Sequence, residues 1–126
     1  MPTDPIHHLL VNVESQSAVF GTTATQLSVQ LEELDARLAE LPGKIPVQVG
    51  TQDAQLSFHR DSQDSQWKLW YGDATTASWR PVTELQVKQK IQAAKLIEPL
   101  LSRLYVDLKD ANETIAHLQG SAPRES

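Results

Sequence analysis

The side chains best suited to acid–base chemistry lie in the middle of the chain. His59 is followed by Asp61 and Asp64, which is a histidine with two carboxylates close by. Both aspartates belong to residues 61–65, a run of turn-forming residues, so we interpret them as turn formers rather than catalytic groups. The sequence has neither a nucleophile elbow nor a glycine-rich phosphate loop. We therefore predict a protein that is not an enzyme and holds no cofactor; a metal-dependent enzyme is the remaining, weaker alternative.

Histidines near the two ends of the chain are the other candidates for chemistry. His8 and His117 each lie four residues after a carboxylate, a spacing that two metal ligands on one helix would need. No two histidines share that spacing, and the chain has no cysteine. We interpret these histidines as exposed side chains and predict no metal site.

Aromatic and basic residues give a binding hypothesis for the same middle region. Trp67 and Tyr71 share a strand face with Leu69 and should pack in the core, whereas Lys68 and Trp70 point the other way. A surface of this kind could stack on a nucleic-acid base or grip a peptide. The alternative is that the tryptophans only close the core and cover the sheet. The candidate binding residues are His59, Arg60, Lys68, Trp70, Trp79, Arg80, Lys88 and Lys90.

Charge and composition restrict the partners. The formal net charge is -5, which disfavours nucleic acid as a partner because phosphate binding needs a basic surface. The charge is uneven: residues 42–95 carry seven basic and five acidic side chains, and the rest carry four and eleven. No apolar run is long enough to span a bilayer, and the N-terminus lacks the pattern of a secretory signal. We expect a cytoplasmic protein with no membrane partner.

The elements that would position these residues are two long helices on either side of a small sheet. Apolar residues from Ile6 to Leu41 follow one heptad register, which predicts a helix over residues 5–41, capped by Asp4. The poor helix propensity of residues 21–25 leaves a break into two helices as the alternative, but the unchanged heptad phase on both sides favours a helix that is continuous through Gly21. Period-two alternation predicts a three-stranded antiparallel meander over residues 44–72. Within it, Pro46 favours an edge position for the first strand, and residues 72–77 are predicted to form a loop.

The second helix is predicted over residues 83–119. Thr83 and Gln86 have the spacing of a capping box, and Pro99 should kink the helix or restart it. Residues 120–126 read as a polar tail.

Together these elements predict one α+β domain over residues 1–126: a long antiparallel two-helix hairpin, resembling a coiled-coil stalk, with the three-stranded sheet inserted between the helices. Further apolar residues lie beside the heptad stripes of the two helices, which suggests that two copies of the chain pack as a four-helix bundle. The predicted function is a non-catalytic interaction module, such as a scaffold, adaptor or assembly chaperone, that forms a homodimer and binds a protein partner. A nucleic-acid-associated factor using the basic-aromatic residues is the alternative. The predicted oligomer seam is Leu10, Val13, Ser17, Phe20, Leu27, Leu31, Leu34, Leu38, Leu101, Leu104, Leu108 and Ile115.

Overall fold

The computed structural model describes residues 5–73 and 78–121 of this 126-residue chain. Along the chain, a long N-terminal helix is followed by a four-stranded antiparallel sheet and then by two C-terminal helices. The strand order in the sheet is β1-β2-β3-β4. The elements are α1 (Pro5–Ala39), β1 (Val47–Gly50), β2 (Gln55–Arg60), β3 (Trp67–Asp73), β4 (Ser78–Pro81), a 3-10 turn (Val82–Glu84), α2 (Val87–Ala94) and α3 (Ile97–Ser121).

Helix α1 is continuous through Gly21, as the unbroken heptad register predicts. Its weakest stretch carries threonines, whose hydroxyls donate hydrogen bonds back to helix carbonyls, for example from Thr25 Oγ1 to the Gly21 carbonyl at 3.0 Å. The helix ends at Ala39, two residues before the predicted end. The predicted cap, Asp4, lies outside the described residues.

The sheet has four strands, so the prediction of a three-stranded meander is wrong. Strand β4 pairs antiparallel with β3, with Trp70 opposite Pro81 and Gly72 opposite Trp79. Its four residues include one proline and one arginine and show no period-two apolar pattern, so only pairing with β3 makes this segment a strand. Strand β3 continues through Asp73 into the predicted loop, of which residues 74–77 lie outside the described part. Strand β1, which follows Pro46, is an edge strand as predicted.

The predicted helix over residues 83–119 is divided into three elements. A 3-10 turn contains Thr83, so the predicted cap is wrong, and the capping box forms at Gln86, whose backbone N–H donates to Gln89 Oε1 at 3.3 Å. The helix breaks at residues 95–96 and restarts at Ile97, which is two residues before Pro99. Pro99 therefore sits in the first turn of α3, where its missing N–H leaves no helical hydrogen bond unmade.

The core forms between one face of the sheet and the helices. On the sheet, Leu56, Phe58 and Leu69 are fully buried. Helix α1 covers β3, whereas α3 covers β1 and β2. Both long helices contribute leucines to this core: Leu31 and Leu38 from α1, and Leu100 and Leu104 from α3.

The antiparallel stalk predicted between the two long helices does not form within one chain. In such a stalk Ile6 would lie beside Leu118, but these residues are 74% and 63% exposed. Helix α1 makes its main contacts with β3, the 3-10 turn and α2, and α3 makes its main contacts with β1, β2 and α2. The reason is that a heptad stripe specifies which side of a helix is apolar and leaves open what covers it. We call the sheet, the 3-10 turn and α2 the head; the parts of the stripes that pack against it are buried, for example at Leu38 and Leu104.

Several residues of the predicted oligomer seam are buried within the single chain. Leu31, Leu38 and Leu104 are buried in the single chain, and Leu34 and Leu108 pack partly buried against the core. The other seam residues are exposed or half-buried: Leu10, Val13, Ser17, Phe20, Leu27, Leu101 and Ile115.

Candidate interaction surfaces

The face of the sheet that points away from the long helices carries an aromatic group, which we call the outer-face cluster: His59, Trp70 and Trp79. Strand alternation places His59 on this face of β2 and Trp70 on the same face of β3. Trp79 reaches the cluster from β4, opposite Gly72. The cluster thus joins three neighbouring strands across the sheet.

Ring geometry shows that the cluster is closely packed. The His59 and Trp70 rings are stacked, with centroids 5.1 Å apart and planes 7° from parallel. Trp79 approaches His59 edge-on, at 6.0 Å and 87°. Trp70 Nε1 donates a hydrogen bond to the His59 carbonyl at 3.1 Å, which fixes the indole. A Cβ on Gly72 would clash with the Ser78 carbonyl oxygen and would lie 2.8 Å from Trp79 Cε3, so this position needs glycine.

A hydroxyl lies beside the imidazole. Ser57 Oγ and His59 Nδ1 are 2.7 Å apart and share a hydrogen bond. Burial lowers the pKa of His59 below its ordinary value of 6.5, and the nearby charge of Asp61 partly opposes that shift. A lowered pKa keeps the imidazole neutral at pH 7, so that Nδ1 can accept a hydrogen bond from the serine hydroxyl.

The serine–histidine pair shows little of the geometry of a nucleophilic site. Ser57 is only 4% exposed, and among the described residues no hydrogen bond joins His59 to a carboxylate that would orient it. The sequence analysis missed Ser57 altogether. Its position two residues before His59 on a strand was the available signal, because residues i and i+2 share a face.

Lys68, next to this cluster, forms ion pairs with two carboxylates of the β2–β3 turn. Its Nζ lies 3.0 Å from Asp61 Oδ2 and 2.7 Å from Asp64 Oδ2. The pKa of Asp64 is lowered chiefly by the Lys68 hydrogen bond, and that of Asp61 chiefly by the hydrogen bond from the Gln63 backbone N–H. The ammonium also lies 5.8 Å from the centre of the Trp70 ring. Its charge is therefore largely balanced within the turn.

The remaining residues of the predicted basic-aromatic surface lie elsewhere. Arg60 and Arg80 are paired opposite Trp67 and Tyr71, on the helix-facing side of their strands. Arg80 lines a cavity of about 300 Å³ together with residues of the β3–β4 and α2 regions. Lys88 is exposed on α2, and Lys90 Nζ donates to Ser28 Oγ on α1 at 2.9 Å. The structure thus brings together His59, Lys68, Trp70 and Trp79 and separates the four other residues from them.

A second surface runs along the N-terminal half of α1. All residues from 5 to 23 are exposed, and they include large apolar side chains on the heptad side of the helix. Residues 5–31 contain only one charged side chain, Glu14. We call the exposed part of this side the α1 stripe; it consists of Ile6, Leu9, Leu10, Val13 and Phe20.

The α1 stripe leads into a groove between α1 and α3. The groove has a volume of about 520 Å³, and its lining is mostly apolar. Leu27 and Leu34 form its α1 wall, and Ile97 and Leu101 form its α3 wall. An apolar surface therefore extends from the first turn of α1 to the edge of the core.

Other kinds of site find no support in the part of the chain that the structure describes. Within residues 5–73 and 78–121, no group of three or more histidines and carboxylates could hold a metal ion, including around His7, His8 and His117. No helix among these residues is both long and apolar enough to cross a bilayer.

Comparison of the chain with protein-family models, with curated proteins and with solved structures finds no match in any of the three.

Proposed function

We propose that this protein is a non-catalytic interaction module that self-associates through the N-terminal half of α1 and presents its sheet-bearing head to a protein partner. The observation that carries the proposal is the α1 stripe, in which Ile6, Leu10 and Val13 are each more than half exposed. Contiguous exposed apolar surface of this kind marks an interaction site in soluble proteins. A scaffold, an adaptor and an assembly chaperone all fit this description.

The size of the stripe favours an apolar partner surface. Burying a fully exposed leucine or valine is worth about 1.5–3 kcal/mol, so the five partly exposed side chains of the stripe would contribute roughly 5 kcal/mol. Association itself costs about 4–15 kcal/mol in lost translational and rotational freedom. One stripe against a polar surface would therefore bind weakly, whereas two stripes packed together would roughly double the gain.

The test is the oligomeric state of matched variants. We expect wild-type protein at tens of micromolar to sediment as a dimer or a larger assembly. Leu10→Glu places a charge within the stripe and should weaken association at least tenfold. Val11→Glu adds the same charge to an exposed valine on the far side of α1 and should change association little.

Circular dichroism must show equal helix content in the two variants for the comparison to count. A wild-type protein that remains strictly monomeric at these concentrations would refute the proposal, as would equal weakening by the two substitutions.

A second candidate function is the binding of single-stranded nucleic acid by the outer-face cluster. The stacked, half-buried Trp70 and His59 favour it, because bases stack on such rings. The balanced charge of Lys68 opposes it. Titration of single-stranded oligonucleotide at low salt, followed by tryptophan fluorescence, tests it: quenching that Trp70→Ala and added salt both remove would support this function, and an unchanged signal would refute it.

A further inference from the structure

We infer that the partner of the α1 stripe is the same stripe of a second copy, packed antiparallel and centred between Ser17 and Phe20. This inference rests on the proposed function and adds the identity and the direction of the partner helix. It follows from three observations: the position of the head on α1, the uncharged composition of the stripe and the groove at its end.

The position of the head excludes a parallel pair. Leu31 and Leu38 lie in the same heptad register as the stripe, but both are buried within their own chain, in the part of α1 that approaches β3, the 3-10 turn and α2. In a parallel pair, residues of equal number face each other along the helices. Because α1 is uninterrupted to Ala39, a parallel partner helix would run into the space that the head occupies.

An antiparallel pair avoids this collision. The head of each copy then lies beyond the first turn of the other copy's α1, and the overlap between Leu10 and Leu27 uses the exposed and half-buried part of the helix. Centring the overlap between Ser17 and Phe20 keeps the heptads in phase, with Val13 facing Ala24 and Leu10 facing Leu27 of the other copy. Val13 of one copy then packs against the smaller side chain of Ala24 of the other copy.

Charge fixes the register further. Glu14 is the one charged residue in residues 5–31, so two such segments can pack together with little electrostatic cost. Shifting the overlap by one heptad toward the N-termini would bring the two Glu14 carboxylates close together. The centred register instead places each Glu14 near Gly21, which has no neighbouring atom within 4 Å of an added Cβ in the single chain.

The groove between α1 and α3 gives the end of the partner helix a place to bind. In the centred register, Ile6 of one copy reaches the level of Leu31 of the other, at the groove lined by Leu27, Leu34 and Ile97. Two-fold symmetry makes both ends of the interface equivalent, so each groove receives the first turn of the opposite α1.

Disulfide trapping tests this arrangement cleanly, because the natural chain has no cysteine. Val13→Cys and Ala24→Cys chains are oxidised separately and as an equimolar mixture, and the products are separated on a non-reducing gel. Within an antiparallel pair, two equal positions would lie about 11 residues, or roughly 16 Å, apart along the axis. A disulfide needs Cα atoms within about 7 Å, so we expect cross-linking in the mixture and none in either variant alone.

The control replaces Val13→Cys with Val11→Cys, which lies off the stripe and should not cross-link to Ala24→Cys. Cross-linking of each variant with itself would show a parallel pair and overturn this inference while leaving the proposed function standing. A sedimenting dimer that yields no cross-link in the mixture would likewise overturn only the antiparallel register. A monomer in every sample would overturn both.

Discussion

The imidazole of His59 lies parallel to the indole of Trp70 at 5.1 Å, while the indole Nε1 donates to the carbonyl of the same histidine. Each residue thus holds the other in place across the β2–β3 pair. Protonation of His59 would disturb this arrangement, because a charged imidazole must be accommodated where burial disfavours it.

Stability should therefore depend on pH through His59. Its pKa in the folded protein is below 6.5, its ordinary value, so the unfolded chain binds more protons in the interval between the two values. The stabilising effect of the neutral imidazole is fully present above about pH 6.5 and is lost as the pH falls through the folded pKa. Urea unfolding between pH 5 and 8 should show this loss, and His59→Gln should flatten the profile over that interval. An identical profile for the variant would contradict the prediction.

The carboxylate of Asp35 should be required at the junction of α1 and β3. Asp35 Oδ1 accepts a hydrogen bond from the Leu69 backbone N–H at 2.8 Å, one residue beyond the last pair between β3 and β4. Asp35→Ala leaves that N–H without its acceptor and should lower the free energy of unfolding by about 1–3 kcal/mol. Asp35→Asn keeps a side-chain oxygen and should lose less in the same denaturant titration. Equal losses in both variants would show that the acceptor does not matter.

Lys68 should control the ionisation of Asp64 more strongly than that of Asp61. The lysine hydrogen bond is the leading cause of the lowered pKa of Asp64, whereas a backbone hydrogen bond leads for Asp61. In Lys68→Met, NMR titration of the side-chain carboxyl carbons should show both pKa values rising toward 3.8, with the larger rise at Asp64. Lys88→Met, on α2, is the matched control and should move neither value. A larger rise at Asp61 would contradict the assignment of causes.

The same substitution should have opposite effects at two glycines. At Gly72 a Cβ would clash with the Ser78 carbonyl oxygen and press on Trp79, so Gly72→Ala should destabilise the protein by about 1–3 kcal/mol and disturb the outer-face cluster. At Gly21, in the exposed part of α1, an added Cβ meets no atom within 4 Å, and Gly21→Ala should stabilise the helix by about 0.5–1 kcal/mol. Thermal unfolding of the two variants checks both signs. Stabilisation by Gly72→Ala would show that Ser78 and Trp79 do not lie as close to Gly72 as described.

Local sequence patterns predicted the structure correctly where a single residue or a single hydrophobic repeat determines it. Pro46 lacks the N–H that an interior strand must donate, and β1 is accordingly an edge strand. The unbroken heptad phase predicted continuity through Gly21, and α1 is continuous there. Strand β4 could not be predicted in the same way, because Ser78–Pro81 carries no alternating apolar pattern and depends on β3 for its hydrogen bonds.

The candidate interaction surfaces, too, could be predicted from local patterns only in part. Strand alternation was enough to place Lys68 and Trp70 on one face of β3, away from Leu69. It could not place His59 against Trp70, or separate Arg80 from both, because cross-strand register depends on contacts between residues far apart in sequence.

By itself, the sequence determined two long helices, the apolar side of each, and a small antiparallel sheet between them, since periodicity and turn residues act over a few neighbouring positions. The tertiary structure decided what covers those apolar sides. Leu38 and Leu104 pack in the core with the sheet, whereas Ile6 and Val13 stay exposed. A stripe of hydrophobic residues favours burial without specifying the surface that buries it, and only the folded chain makes that choice.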